Sequence, residues 1–411
     1  MSKIHLECPG SKSMTQRALF LAALSNAPSQ LRGALNCDDS SYLSNLLRCI
    51  GVDVVWDGNQ VNVIPPERYV SDGKPIFCGN AGTTVRFSSA LSLVVEGVLS
   101  IDGDHHMRRR PIGGVAKAIE KLGVSVRYLL NEGFPPIELK KGDLSVKSEQ
   151  DSAVELEIDA SQSSQFVSAI MMVAPLFSHD LRIKLVGAVV SRSYLDMTIA
   201  MMVSAGAQIS WDGPREITVK PGRYHRPVWQ VEADWSAAAF LLTAGAIIKR
   251  QVSIASLVDP STSLQGDSSF VDFEERISRA SCPIEINLNN APDLLPPLVC
   301  RSLFADFPIT FTDIAHARIK ECDRIAVLAR ELRKMGGVFN EYADGLTVHP
   351  LDAGVVPRTD LELDPESDHR MAMSFGVISL VYPQIKSQDP GCVSKSFPNF
   401  WHVLEDIRRQ H

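Results

Sequence analysis

The clearest pattern along the chain is a run of apolar residues at helical spacing, followed by glycine and two short β-forming segments. Each run carries Leu, Ile or Met three or four positions apart, the spacing that lines one face of a helix. A turn rich in Asp, Asn and Gly separates the two β-forming segments, as in a β-hairpin. The pattern occurs in LLRCIGVDVVWDGNQVNVI, AIEKLGVSVRYLLNEGFPPIEL, MMVSAGAQISWDGPREITV and ELRKMGGVFNEYADGLTVHP. It predicts a helix followed by a hairpin in each segment.

The glycines that end these runs also indicate a structural repeat. They are Gly51, Gly123, Gly206 and Gly336, and each suits the left-handed position that closes a helix. Successive glycines lie 72, 83 and 130 residues apart, so the last interval leaves room for two units. The segment RISRASCPIEINLNN in that interval resembles a degenerate further copy. Unless the four segments are alike by chance, the pattern predicts about six similar α/β units, three in each of two domains.

Length and composition agree with two globular domains and exclude several classes of protein. A chain of 411 residues exceeds what one hydrophobic core serves, and its 45% hydrophobic and 22% charged residues are ordinary for a globular protein. The net charge of −7 argues against a nucleic-acid-binding protein. No apolar run reaches membrane-spanning length, and the start of the chain lacks the apolar stretch of a signal peptide. We therefore expect a cytoplasmic protein that binds neither membranes nor nucleic acid.

The cysteines and histidines predict no metal site. The eight cysteines are scattered without a C-x-x-C pair, and the ten histidines show no zinc-binding spacing. Reduced structural thiols are the expected role of the cysteines.

The first candidate for anion binding is the segment PGSKSMTQR, residues 9–17. A glycine turn there brings Ser11, Lys12 and Ser13 to the start of an apolar helix, where free N–H groups and the helix dipole attract anions. Ser13 and Arg17 are four apart and share a helical face. Simple helix capping with a solvated lysine is the alternative. A P-loop is a further alternative, but its G-x-x-x-x-G-K-[ST] spacing is missing.

Several further segments carry polar or charged residues, and RIKECDRI has the strongest charge pattern among them. They are GNAGTTVR at 79–86, SQSSQF at 161–166, SRSY at 191–194, RIKECDRI at 318–325, DHRM at 368–371 and KSFP at 395–398. Each one alone is compatible with capping or with a solvated ion-pair face. Together they supply enough cations and helix starts to neutralise two multiply charged substrates.

In combination these segments resemble a known family. PGSKSMTQRA, GNAGTTVRF, RRRPIGG, SSQF, SRSYLDMT, VEADWSAAAF, RIKECDRI, DHRMAM and KSFP follow one another in the order found in the 5-enolpyruvylshikimate-3-phosphate synthase family. The resemblance runs from Pro9 to Leu404. It implies an α/β fold of two domains, each built of three βαβαββ units, with the active site in the cleft between them. One domain would span residues 9–229 and carry the substrate loops. The other would comprise residues 1–8 and 230–411 and carry the acid/base residues.

The resemblance implies a reaction of the shikimate pathway of aromatic amino-acid biosynthesis. The enolpyruvyl group of phosphoenolpyruvate would pass to the 5-hydroxyl of shikimate-3-phosphate by addition and elimination, in a monomer without metal or organic cofactor. Asp293 would accept the hydroxyl proton, Glu321 would protonate the enolpyruvyl methylene, and Lys12 would also be catalytic. The residues implied to bind shikimate-3-phosphate are Lys12, Ser13, Arg17, Ser163, Ser164, Ser191, Asp293 and Lys320. Those implied to bind phosphoenolpyruvate are Lys12, Gly82, Gln165, Arg324, Arg370 and Lys395.

Three positions depart from the family pattern. His106 stands where the family usually has an arginine that binds phosphoenolpyruvate, and His316 replaces a usual Asn that contacts shikimate-3-phosphate. Phe87 stands where many members have Pro. We expect His106 to weaken the binding of phosphoenolpyruvate and of its competitor glyphosate, unless Arg108 or Arg110 compensates.

Two alternatives to this function remain at the level of sequence. The two histidines are compatible with a non-catalytic relative that binds shikimate-type ligands. The sister UDP-N-acetylglucosamine enolpyruvyl transferase usually has a Cys in the loop before Arg110-Pro111, which this chain lacks.

Overall fold

The computed structural model describes residues 3–142, 153–356 and 359–410. Two units are formed: a continuous unit, Lys12–Val231, and a split unit made of Met1–Ser11 and Glu232–His411. No helix among the described residues has both the length and the apolar character needed to cross a membrane.

The helices and strands of the described residues have the following bounds. The helices are α1 Lys12–Ala23, α2 Asp38–Cys49, α3 Gly82–Leu91, α4 Gly113–Lys121, α5 Ser164–Val173, α6 Arg192–Ser204, α7 Trp235–Ile247, α8 Phe270–Ser278, α9 Leu295–Ser302, α10 Arg324–Arg333, α11 His369–Ile378 and α12 Phe400–Gln410. The strands are β1 Ile4–Leu6, β2 Ser29–Arg32, β3 Asp53–Asp57, β4 Gln60–Ile64, β5 Val70–Phe77, β6 Glu96–Asp102, β7 Val124–Tyr128, β8 Ile137–Lys141, β9 Ala153–Asp159, β10 Asp180–Val186, β11 Ile209–Trp211, β12 Glu216–Val219, β13 Val228–Gln230, β14 Val252–Ile254, β15 Ile284–Asn287, β16 Ile309–Thr312, β17 Phe339–Tyr342, β18 Gly345–Val348, β19 Leu361–Leu363 and β20 Ile385–Ser387.

The continuous unit repeats one sheet three times. The strand orders are β13-β2-β4-β3, β5-β6-β8-β7 and β9-β10-β12-β11. In each sheet the first two strands are parallel and the other pairings are antiparallel, as a βαβαββ unit requires. The predicted repeat is therefore present, with β13 completing the first sheet from the far end of the unit.

Three helices lie in the interior of the continuous unit. Nearly every residue of α1, α3 and α5 is buried, whereas α2 and α4 bury only one side. An interior helix has no solvated flank, so its sequence is apolar nearly all round, as in ALFLAALS after Arg17. The charged residues of these helices lie in the first two turns: Lys12 and Arg17 in α1, and Arg86 in α3.

The split unit contains the same repeat in shortened form. Its β15-β16-β18-β17 sheet has the same pairings, but β1-β14 and β19-β20 are each only a parallel pair. Helices α7, α9 and α11 pack against one another in its interior, and every residue of α11 is buried.

The four helix–hairpin segments are confirmed. Their second halves form the antiparallel pairs β3/β4, β7/β8, β11/β12 and β17/β18. The four glycines have φ of +97°, +89°, +95° and +96°, the left-handed conformation expected at a helix end. The proposed degenerate copy is wrong as a hairpin, because α8 is followed by β15, which pairs in parallel with β16.

Candidate active site

In the continuous unit, the predicted anion-binding helix starts at Lys12. The Lys12 ammonium lies 3.2 Å from a carboxylate oxygen of Asp39, which is buried in the first turn of α2. The Thr84 hydroxyl of α3 donates to the backbone carbonyl of Asp39 at 3.2 Å. The first turns of three helices therefore meet at this ion pair. Sequence reasoning missed Asp39, since nothing in NCDDS marks one of its acids as the partner of a distant lysine.

Arg17 is a buried cation held by neutral groups. Its Nε donates to the Thr198 hydroxyl at 2.7 Å, and its terminal nitrogens donate to the carbonyls of Ser13 and Tyr194 at 3.0 and 3.3 Å. The guanidinium also lies 5.3 Å from the ring centre of Phe87. Burial lowers its pKa to about 10, so it stays charged at neutral pH. Arg17 therefore fixes α1 to α6 and adds positive potential beside Ser13.

Gly82, the first residue of α3, lies against Arg110. A Cβ at Gly82 would come within 2.6 Å of an Arg110 terminal nitrogen. That guanidinium donates to the backbone and side-chain oxygens of Asn80 at 2.9 and 3.0 Å. Only glycine permits so close an approach.

Arg110 contacts the predicted site loop, but the sequence pattern did not assign it a role. His106, the position where the family arginine was expected, precedes the short 3₁₀ turn Met107–Arg109 and packs against the His105 ring, with ring centres 3.9 Å apart. The loop that contains Gly82 therefore has an arginine, supplied by Arg110. The signal in the sequence was the run of three arginines before Pro111.

Gln165, in the first turn of α5, is fixed on both sides by α3. Its amide nitrogen donates to the Thr83 hydroxyl at 3.0 Å, and its amide oxygen accepts from Arg86 at 2.7 Å. Arg86 also donates to the Pro111 carbonyl. Ser163 caps α5 by accepting from the Gln165 N–H at 3.2 Å, and Ser164 is buried beside it.

Ser191 precedes α6 in a left-handed conformation, with φ of +53°. A residue other than glycine in that conformation costs on the order of 1 kcal/mol, and such strain concentrates at functional turns. Ser191 is buried and makes no side-chain capping bond to its helix.

In the split unit, Asp293 is held by two arginines. One carboxylate oxygen accepts from Arg324 at 2.7 Å and the other accepts from Arg370 at 2.8 Å. Burial raises the pKa of Asp293, but the charges of Arg370, Lys320 and Arg324 outweigh burial and hold that pKa well below its usual range. Asp293 is therefore ionised and able to accept a proton.

Arg324 contacts three carboxylates, each through a different nitrogen. Besides Asp293, it donates to Asp368 from Nε at 2.8 Å and to Glu321 at 3.1 Å. Asp368 is fully buried and also caps α11 by accepting from the Arg370 N–H at 2.8 Å. Lys395 lies 3.6 Å from the other carboxylate oxygen of Glu321. The predicted acid and base are thus linked through one guanidinium.

His316 is buried in the 3₁₀ turn Ala315–Ile319. Its Nε2 has no hydrogen-bond partner among the described residues. Burial lowers its pKa to about 3, and the Lys320 charge adds to this effect more than Asp293 opposes it. His316 is therefore neutral at physiological pH, as the Asn expected there would be.

The predicted site residues thus form one group in each unit. Lys12, Ser13, Arg17, Gly82, Ser163, Ser164, Gln165 and Ser191 belong to the continuous unit, and Asp293, Lys320, Glu321, Arg324, Arg370 and Lys395 belong to the split unit. Sequence reasoning did not assign a role to Asp39, Arg86, Arg110 or Asp368, which hold these groups in place. Within the described ranges, no cluster of three His, Cys, Asp or Glu residues is suited to a metal ion.

Known proteins are similar to this chain over nearly its whole length. The model of the EPSP synthase (3-phosphoshikimate 1-carboxyvinyltransferase) family matches residues 3–404. A 3-phosphoshikimate 1-carboxyvinyltransferase of Syntrophobacter fumaroxidans is 34% identical, with 99% of this chain and 97% of that protein aligned. One from Rhizobium leguminosarum is 36% identical, covering 96% and 92%.

A solved structure shows the same fold. EPSP synthase from Acinetobacter baumannii superposes with a TM-score of 0.74 at 20% identity, covering 98% of this chain and 95% of that one. The fold class expected from the repeats and from the resemblance is confirmed. With a family model and relatives that span nearly the whole sequence, the chain belongs to the EPSP synthase family.

Proposed function

We propose that this protein transfers the enolpyruvyl group of phosphoenolpyruvate to the 5-hydroxyl of shikimate-3-phosphate and releases phosphate. The observation that carries the proposal is Arg324, which donates to Asp293 and Glu321 from its two terminal nitrogens. Addition of a hydroxyl to an enol phosphate requires a base at the incoming hydroxyl and an acid at the methylene carbon. Membership of the EPSP synthase family supports this assignment.

In the proposed reaction Asp293 and Glu321 have opposite roles. Asp293 accepts the proton of the 5-hydroxyl of shikimate-3-phosphate while the oxygen of that hydroxyl bonds to C2 of phosphoenolpyruvate. Glu321 donates a proton to C3, and a tetrahedral intermediate results. In the elimination a proton leaves C3 for Glu321 and the C2–phosphate bond breaks. The enol double bond is restored, and the hydroxyl proton leaves with phosphate.

The cations around Asp293 explain how this carboxylate gains basicity when substrates bind. Arg324, Arg370 and Lys320 keep its pKa low in the free protein. Phosphate and carboxylate groups of the substrates compete for the same cations, so their binding raises the proton affinity of Asp293. The base therefore becomes effective only when the substrates are present.

The continuous unit is proposed to bind the anionic groups of the same two substrates. Lys12, Ser13, Arg17, Ser163, Ser164 and Ser191 are assigned to shikimate-3-phosphate, together with Asp293 and Lys320 of the split unit. Lys12, Gly82 and Gln165 are assigned to phosphoenolpyruvate, together with Arg324, Arg370 and Lys395. Helix starts and buried cations support this assignment, because both favour anions. Arg110 joins the phosphoenolpyruvate set through its contact with the loop of Gly82.

The proposed oligomeric state, localisation, partners and cofactor requirement are those expected from the sequence. The protein acts as a monomer in the cytoplasm, without binding nucleic acid and without a metal or organic cofactor. Neither a non-catalytic relative nor a UDP-N-acetylglucosamine transferase is favoured by an observation on the described residues.

The test is phosphate release by purified protein supplied with both substrates. Turnover is expected with shikimate-3-phosphate and phosphoenolpyruvate together and with neither alone. Asp293→Asn is expected to lower kcat at least 1,000-fold while calorimetry still detects binding of shikimate-3-phosphate. Asp306→Asn is the matched control, because Asp306 is an exposed aspartate of the same unit. Binding without turnover in the wild type would instead support the non-catalytic alternative.

A further inference from the structure

A second buried carboxyl, Asp267, lies outside the set of residues assigned to the reaction. It is 2% exposed and belongs to the 3₁₀ turn Gly266–Ser269, which leads into α8. One of its oxygens accepts a hydrogen bond from the Ser236 hydroxyl, in the first turn of α7. A carboxyl in this position exceeds what helix capping requires, because Asp234 already caps α7 through the Ala237 N–H at 2.9 Å.

The turn that carries Asp267 is fastened to α7 by Gln265. The Gln265 side chain accepts from the Trp235 N–H at 3.1 Å and donates to Glu232 and to the Ala233 carbonyl at 3.0 and 2.8 Å. Helix α7 also packs against the turn Pro292–Leu294, which carries Asp293. Both aspartates are therefore positioned by one helix.

Arg370 and Asp293 are the principal charges that act on Asp267. Burial raises the pKa of Asp267 to about 7, and the charge of Asp293 adds to this effect. Arg370 and the Ser236 hydrogen bond oppose it, while Asp234, at the start of α7, raises it further. Asp293 has three cations acting on it. Of the two carboxyls, Asp267 therefore has the higher pKa.

From this arrangement we propose that Asp267 is a positioning residue of the reaction, a proton-holding carboxyl that sets the basicity of Asp293 through Arg370. The proposal rests on the proposed function. When Asp267 is ionised, its negative charge raises the proton affinity of Asp293 and partly neutralises the Arg370 charge that acts on Asp293. When Asp267 is protonated, Arg370 acts fully on Asp293 and the base is weaker. The catalytic rate accordingly rises as the pH rises through the ionisation of Asp267.

The first test compares pH profiles of kcat for the wild type, Asp267→Asn and Ser236→Ala. The wild type should show a rise in kcat near pH 7. Asp267→Asn should lose that rise and show kcat about three- to tenfold lower at pH 8.5, with both KM values within about twofold of the wild type. Ser236→Ala removes a hydrogen bond that favours the ionised form, so its rise should move to higher pH. Asp272→Asn, an exposed change in the neighbouring helix, should leave the profile unchanged.

An unchanged inflection in Asp267→Asn overturns the proposal. If Asp267→Asn does not fold, Ser236→Ala decides. A rise in kcat at the same pH in Ser236→Ala as in the wild type also overturns the proposal. A wild type without turnover refutes the proposed function instead. In that event, carbon-13 NMR of the aspartate carboxyls decides the present proposal. The Asp293 signal should show a step near pH 7 in the wild type and no step in Asp267→Asn, and absence of the wild-type step overturns the proposal.

Discussion

Arg324 and Asp368 form a buried ion pair, with the guanidinium Nε 2.8 Å from the carboxylate, and this pair orients both ends of the acid/base group. Holding Nε at Asp368 directs the two terminal nitrogens to Asp293 and Glu321. The same carboxylate caps α11, whose first turn carries Arg370. Asp368 thus links the positions of both arginines that hold Asp293.

Replacing Asp368 separates its electrostatic role from its capping role. Asp368→Asn retains an oxygen for the α11 cap but loses the charge that holds Arg324, so kcat should fall on the order of 10- to 100-fold. In Asp368→Ala, kcat should fall at least as far as in Asp368→Asn. The unfolding free energy should fall by about a further 1 kcal/mol, because the α11 cap is lost. Steady-state kinetics and urea unfolding measure the two effects. Equal activity of Asp368→Asn and wild type would show that Arg324 needs no charge at this position.

Gly82→Ala should weaken phosphoenolpyruvate binding without abolishing turnover. The new methyl group would meet the Arg110 guanidinium at 2.6 Å, so the arginine must shift from its contacts with Asn80. We expect the KM for phosphoenolpyruvate to rise about tenfold and the KM for shikimate-3-phosphate to change by less than about threefold. Gly222→Ala is the matched control, because no atom lies within 4 Å of a Cβ at that exposed position. A rise in the shikimate-3-phosphate KM alone would contradict the assignment of this loop.

The presence of Arg110 beside Gly82 changes the expectation drawn from His106. Arg110→Lys replaces a planar fork with a single ammonium, so the KM for phosphoenolpyruvate should rise about 10-fold or more. His106→Arg should change that KM by less than about twofold, since Arg110 already supplies a cation to this loop. Initial-rate kinetics with both substrates varied test the pair of variants. A large fall in the KM for phosphoenolpyruvate in His106→Arg would instead support the expectation from the sequence that His106 weakens phosphoenolpyruvate binding.

These residues show which features of the fold and of the candidate site could be predicted from the sequence. The repeat was predictable because apolar spacing, a closing glycine and a hairpin turn are local signals, and they recur four times. The helix starts were predictable for the same reason. The partners Asp39 and Asp368 were not, because each pairs with a cation distant in the chain; Arg324 and Asp368 are 44 positions apart.

The three consecutive arginines show a second limit. Arg108 turns outward and donates to Asp102 at 3.0 Å, whereas Arg110 turns inward to Asn80. Residue types and spacing are the same for both, so only the path of the chain through the 3₁₀ turn Met107–Arg109 distinguishes them. The residue pattern alone therefore did not show that Arg110, rather than Arg108, would contact the loop of Gly82.

His316 should make the protein less stable in mild acid. Its pKa is about 3 when folded and has the ordinary value of 6.5 when unfolded. Between these values the unfolded chain binds a proton that the folded protein does not, so the unfolding free energy falls as pH falls from 6.5 towards 3. At pH 5 the loss attributable to His316 is about 2 kcal/mol relative to pH 7.5.

Urea unfolding of His316→Asn at pH 7.5 and pH 5 measures this contribution. The variant should lose about 2 kcal/mol less than the wild type between the two values, because asparagine does not titrate. His179→Asn, at an exposed position, should lose as much as the wild type. If His316→Asn and the wild type lose stability equally, then His316 takes up its proton in the folded protein, where its charge would oppose that of Lys320. In its neutral form His316 adds no charge to those that Arg370, Lys320 and Arg324 exert on Asp293.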